Sequence, residues 1–227
     1  MYMSRIRLRP EVKNYPGFWK KAGDEYQLHN FIWDVFSDSP ERKRDYLYRR
    51  EDVQGLPSFL AVSAREPRLS SGLWDVTPKE YDPVIREGQR LYFSLRANAV
   101  RTKRDKDGRQ HRHDVVMEAK SRLKAEGIPK DEWPIEADIV QRAGYVWLAM
   151  RGESNGFSVK SGEIRADGYC QHRFLKPKGR NHVKYSTLDF TGVLTVTDPE
   201  AFRNALYVGL GAAKGFGCGL LMVRPVL

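Results

Sequence analysis

Cysteine is scarce in this sequence, with only Cys170 and Cys218 among 227 residues. That excludes a small scaffold stapled by disulfides and fits a reducing compartment. No apolar run approaches the length of a membrane span, so no membrane partner is expected. The N-terminus alternates charge around no apolar centre. No signal peptide is expected there, and the chain is read as cytoplasmic. Acidic residues are outnumbered, 29 against 39 Lys and Arg, for a net charge of +10. Such a surplus favours a polyanionic partner, of which nucleic acid is the commonest. A hydrophobic share of 41% is enough for a core, and the length suits one large domain or two small ones.

Glycine, by contrast, is concentrated. Between Gly209 and Gly219 it occupies positions 209, 211, 215, 217 and 219, with Lys214 as the only cation. Glycine accepts positive φ and lets backbone approach a partner closely. Exposed N–H groups beside one cation suit a phosphate. The P-loop pattern is absent, since no Gly-Lys-Ser/Thr occurs. The dinucleotide fingerprint fails as well, because Lys214 stands where its third glycine belongs. Lys214-Gly215-Phe216-Gly217 opens like the RNP1 signature of an RRM but lacks the closing aromatic. A helix C-cap followed by a tight turn into a last strand explains the same residues.

Periodicity divides the rest of the chain. Tyr2, Ser4, Ile6 and Leu8 alternate with Met3, Arg5, Arg7 and Arg9, which predicts a half-buried strand. Leu28, Phe31, Ile32 and Val35 recur at helical spacing, so a helix is expected over Asp24–Phe36. Tyr26 and His29 are three apart on it and share a face. Strands are expected at Tyr46–Arg50, Ser58–Ala64 and near Lys79–Val84. A join falls at Arg86-Glu87-Gly88. A second series follows: a strand over Leu91–Val100, a mobile loop over Arg101–Arg109, and helices over Asp114–Glu126 and Ile135–Met150. Strands at Gly168–Leu175 and Val183–Val196 come next, then a helix opened by Asp198-Pro199 as N-cap and N1, then a strand at Leu220–Arg224. The order is βαββ(α)β followed by βαββαβ. It predicts an α+β protein of two tandem ferredoxin-like (RRM-like) domains, residues 1–87 and 88–227.

Cations cluster in two places. Residues 88–130 hold twelve Lys/Arg against five Asp/Glu. Residues 171–185 contain Arg173, Lys176, Lys178, Arg180 and Lys184 and no acid; as a hairpin they project a basic finger. Arg96 and Asn98 fall on one face of a strand and either meet an RNA backbone or form an ordinary polar face. His111-Arg112-His113 and Cys170-Gln171-His172 contain metal-ligand types, but neither spacing is a recognised metal pattern, so no metal is expected.

Several stretches resemble the CasE family of the RAMP superfamily, the CRISPR repeat-RNA endoribonucleases. They are Met1-Tyr2 with Ser4, Tyr26-Gln27-Leu28-His29, Leu95-Arg96-Ala97-Asn98, Phe190–Val196 and the glycine run. They occur in the family's order from the first residue to the end. The resemblance implies tandem RAMP domains and metal-independent cutting of a repeat stem-loop at the 3′ base of the stem, with no cofactor. It also implies retention of the crRNA product and membership of the Cascade complex. It makes His29 and Tyr26 the catalytic candidates. Arg96, Asn98, Arg101, Arg173, Lys176, Lys178, Arg180 and Lys214 become candidate RNA contacts, beside the glycines of the loop. The alternative is a non-catalytic RAMP or RRM-like subunit that only binds RNA.

Overall fold

The computed structural model describes residues 1–14, 16, 18, 25–37, 39, 41–68, 72–175 and 182–226. Two four-stranded antiparallel sheets organise the chain. The first contains β1 (Tyr2–Leu8), β2 (Tyr46–Val53), β3 (Leu56–Ser63) and β4 (Trp74–Glu80), with helix α1 (Glu25–Phe36) between β1 and β2. Its order is β2-β3-β1-β4. That is the order of a ferredoxin-like sheet; among the described residues no second helix occurs between β3 and β4. Along β1 the expected alternation holds: Ser4, Ile6 and Leu8 are buried while Arg5 and Arg7 are exposed. Ile6, Phe59 and Trp74 pack beneath Ile32, Val35 and Phe36 of α1.

The opposite face of this sheet is also covered. Leu47, Leu60 and Val62 pack with Leu220, Met222 and Tyr207 from the second half. Burial on both sides explains why β3 reads Leu-Pro-Ser-Phe-Leu-Ala-Val-Ser, apolar with little alternation. The β2–β3 turn places both Gln54 and Gly55 at positive φ, as a type I′ two-residue hairpin turn requires. The fourth strand lies earlier than the expected Lys79–Val84. Trp74, 1% exposed, anchors it opposite Leu8, and the pairing ends at Tyr2 opposite Glu80. Pro78 is tolerated there because β4 is an edge strand.

The second sheet contains β5 (Arg90–Ala97), β8 (Phe157–Leu175), β9 (His182–Val196) and β10 (Leu221–Pro225), ordered β10-β5-β9-β8. Helices α2 (Val115–Ala125) and α3 (Glu136–Glu153) precede β8, and α4 (Pro199–Val208) lies between β9 and β10. The full βαββαβ order is therefore present. Trp147, Leu148, Phe190, Phe202 and Leu206 fill the core. Asp198 accepts hydrogen bonds from the N–H groups of Glu200 and Ala201, with Pro199 at N1, so α4 begins where the sequence placed it.

Two expectations are corrected. Residues 101–109 are not one loop. Residues 101–104 belong to β6 (Val100–Arg104), which pairs with β7 (Gln110–Asp114) as a two-stranded ribbon, and 105–109 form the turn between them. Asp105 makes the turn, accepting from the N–H groups of Asp107 and Arg109 and contacting His111 Nε2 at 2.7 Å. That contact and the two backbone donors hold the Asp105 carboxyl below its usual range. Likewise β8 starts at Phe157, not Gly168; its pairing with β9 shifts register twice, between Val159 and Ile164 and between Asp167 and Cys170. Those shifts break the alternation that would reveal its first half.

Candidate RNA-binding and active site

The glycine run is both a helix cap and a junction. Gly209 ends α4 at φ 79°, ψ 164°, a region that is essentially confined to glycine. Its N–H donates to Ala205 O. Leu210 N–H then donates to Gly219 O, and Gly219 N–H to Arg96 O. Ala212 bridges to Asn98. The loop is thus tied both to itself and to the end of β5. At Gly211 an added Cβ would lie 3.1 Å from the Trp147 ring, so this glycine lets backbone pack against the core of its own half.

At the far end of the loop, Lys214–Phe216 forms a short 3-10 turn. Tyr48 of β2 donates its hydroxyl to Gly215 O at 2.9 Å. Helix α1 of the first half also lies against this turn. Tyr26 and His29 are both carried by α1; their side chains lie outside the described residues. The structure therefore brings the helix that bears the catalytic candidates to the glycine loop, from opposite ends of the sequence.

The turn also delivers Phe216 into an aromatic column that the sequence did not reveal. Phe216 stacks on Tyr185 of β9, with centroids 5.1 Å apart and planes 19° apart. Tyr185 stacks on His172 of β8 at 4.6 Å and 12°, and Phe174 meets Phe216 edge-on at 5.3 Å. His172 also hydrogen-bonds Thr187 Oγ1 at 3.0 Å. Cross-strand register explains the pairing, since His172 stands opposite Tyr185. The alternation of His172 with Phe174 was the available signal, but nothing local points to Phe216. Two pockets flank the column. One, of about 460 Å³, opens between the halves and is lined by Tyr48, Arg49, Arg96 and Thr187. The other, of about 570 Å³, is lined by Arg112, Arg173 and Lys184.

The basic candidates separate. Arg96 is half-buried and makes a two-pronged ion pair with Asp189, at 2.8 and 2.7 Å. That hydrogen bonding raises its pKa above the ordinary arginine value. Asn98, 5% exposed, donates its amide to Ser186 O at 2.8 Å. Ser186 in turn donates its hydroxyl to Asp114, which caps α2 through the N–H groups of Val116 and Met117. Asn98 is therefore an internal brace beneath the glycine loop. Arg101 stands apart, in a groove between α2 and α3, with its guanidinium 3.4 Å from Met150 Sδ. Arg173 is exposed near the end of β8 and donates to His182 Nδ1 at 3.3 Å. Lys176, Lys178 and Arg180 lie outside the described residues. Lys214 is half-buried, and its pKa is pushed down by burial and then by Arg44 and Arg151. Among the described residues, no group of three His, Cys, Asp or Glu is placed to hold a metal ion, and no helix is long and apolar enough to cross a membrane.

Comparison with known proteins agrees along the whole chain. It is 27% identical to the CRISPR system Cascade subunit CasE of Escherichia coli K12, over all of both chains. It is also 27% identical to the CRISPR-associated endoribonuclease Cse3 of Thermus thermophilus, covering 99% of this chain and all of the relative. Among solved structures it resembles Cse3 bound to a 19-nt RNA, with a TM-score of 0.69, 26% identity and coverage of 99% of this chain and 100% of that one. The Thermus thermophilus Cse3 bound to an RNA representing a pre-cleavage complex gives 0.68 at 25%, covering 99% and 98%. The family described as CRISPR associated protein matches residues 1–225, and the chain belongs to that family.

Proposed function

We propose that this protein is an endoribonuclease that recognises the stem-loop of a CRISPR repeat in precursor crRNA and cuts once, at the 3′ base of the stem. It then keeps the product and serves as a subunit of a Cascade complex. The observation that carries this reading is the meeting of α1 with the Lys214–Phe216 turn. A chain that merely binds RNA has no need to bring a Tyr-x-x-His helix to its glycine loop.

The chemistry needs no metal. The 2′-OH beside the scissile bond gives its proton to solvent water and attacks phosphorus, forming a 2′,3′-cyclic phosphate and breaking the P–O5′ bond. His29 protonates the departing 5′-oxygen, and histidine suits the task because it ordinarily titrates near neutrality. Tyr26 holds the 2′-OH or the phosphate. The hairpin of β8 and β9 grips the stem with Arg173, Lys178 and Arg180, while Arg96, charge-paired with Asp189, lines the cleft that leads to the cut.

The test is a labelled repeat RNA incubated with protein in EDTA. Cleavage is expected to persist. Tight binding without a cut would favour the non-catalytic subunit, which the aromatic column would serve equally well. Cutting that EDTA stops would point to a metal nuclease.

Neutralising Arg173, Lys178 and Arg180 together is expected to weaken repeat binding and flatten its salt dependence. For every phosphate no longer neutralised on a duplex, the slope of log affinity against log salt should fall by about 0.9. An unchanged slope in a salt titration would show the hairpin to be a solvated turn.

A further inference from the structure

Beyond the cleft, three cations converge on one cavity. Arg112 of β7, Arg151 in the last turn of α3 and Lys214 of the glycine loop line a space of about 300 Å³. Val100, Thr102, Asn155 and Gly209–Ala212 complete the wall, and none of its described residues is acidic. Arg151 lies 5.6 Å over the Trp147 ring, which holds its guanidinium without neutralising it. The depressed pKa of Lys214 reflects burial first, and then the charges of Arg44, outside this cavity, and Arg151 within it. Cations gathered in a wall without a described acid, beside glycine backbone, suit an anion. Arg112 also lines the pocket beside His172, Tyr185 and Phe216. The cationic cavity and the pocket beside the aromatic column therefore adjoin, sharing Val100 and Arg112 of the β6–β7 ribbon as a groove wall.

We infer that this groove takes the unpaired RNA adjoining the stem: a backbone phosphate seats among Arg112, Arg151 and Lys214, and a neighbouring base packs at the His172–Tyr185–Phe216 column. Paired bases stack on one another and offer such rings no face. Unpaired bases do, and stacking on aromatic side chains beside a cationic track is how single strands are commonly held. The site adjoins the part of the β8–β9 hairpin assigned to the stem, since that hairpin itself supplies His172 and Tyr185, and the inference rests on the proposed recognition of a repeat stem-loop.

The experiment compares two repeat RNAs, each with a 2′-deoxy nucleotide at the scissile position so that neither is cut. One carries the unpaired flanks and the other ends at the stem. Fluorescence anisotropy measures the affinity of the wild-type protein, Arg112→Gln and Arg112→Gln/Arg151→Gln for both. The double variant is expected to bind the flanked RNA about tenfold more weakly, the scale of one charged hydrogen bond removed. Its salt slope should fall by about 0.7 for a single-strand phosphate, while affinity for the blunt stem-loop stays unchanged. An equal loss on both RNAs, or no loss on either, would overturn the inference. Should the double variant misfold by circular dichroism, Arg112→Gln alone decides, since Arg112 is exposed on the ribbon. The proposed nuclease activity stands or falls separately, on cutting of native flanked RNA by the wild-type protein. A wild-type protein that binds neither RNA would overturn both.

Discussion

His29→Ala is expected to reduce the single-turnover rate of repeat cleavage by about 10²–10⁴-fold, the usual worth of general acid–base catalysis. Repeat affinity should stay within a few fold, because His29 is assigned to proton transfer and the grip on RNA is assigned to the second half. The separation is physical. His29 is carried by α1, whereas Arg173, Arg112 and Arg151 belong to β8, β7 and α3 of the second half. A proton donor is depleted as pH rises, so the wild-type rate should fall on the alkaline side, and the variant should lose that limb of its pH profile. Near wild-type cutting by His29→Ala would remove His29 from the mechanism. Attention would then pass to His172, the histidine of the aromatic column.

Much of the fold is legible in local patterns because the forces that set it are local. The Ser4-Ile6-Leu8 alternation, the Asp198-Pro199 cap and the spacing of Ile32 and Val35 each report a periodicity or a hydrogen bond within a few residues. The β6–β7 ribbon was hidden for the opposite reason. Its residues are charged and solvated, so nothing apolar marks them as strands, and the turn depends on one carboxylate, Asp105, gathering backbone donors. The candidate site divides along the same line. The Tyr26–His29 spacing and the glycine run are contiguous and could be read directly. The aromatic column draws His172, Tyr185 and Phe216 from three segments, and the pairing of Arg96 with Asp189 spans 93 positions. Strand register decides both, and register is not written in any one segment. Asn98 shows the limit most clearly. Its strand face was foreseeable, yet its amide is directed inward by Ser186, on the neighbouring strand.

Gly209→Ala is expected to lower cleavage far more than it lowers stability. The substitution meets two obstacles. Its backbone, at φ 79° and ψ 164°, lies where a residue with a side chain costs of order 1–3 kcal/mol. The new Cβ would also stand 2.7 Å from Leu47 Cδ1 and 2.8 Å from Gly219 O. Leu47 can rotate, but Gly219 O is backbone and already accepts from Leu210 N–H. The loop must therefore shift, and it carries Lys214 and Phe216 with it. Leu47 belongs to the apolar seam with Val62 and Leu220 between the two sheets, so the disturbance falls where the halves join. A misplacement of about 1 Å at a site can cost about 10²-fold in rate, and a loss of that order is expected in single-turnover cleavage. The control is Gly108→Ala at the tip of the β6–β7 ribbon. Its φ is 76° and nothing lies within 4 Å of the added Cβ, so it meets backbone strain without a clash. Gly108→Ala should cut at close to the wild-type rate, while Gly209→Ala, still folded by circular dichroism, should not. Equal rates for the two variants would mean that the junction of α1 with the glycine loop does not position the scissile phosphate, and that catalysis is organised within one half alone.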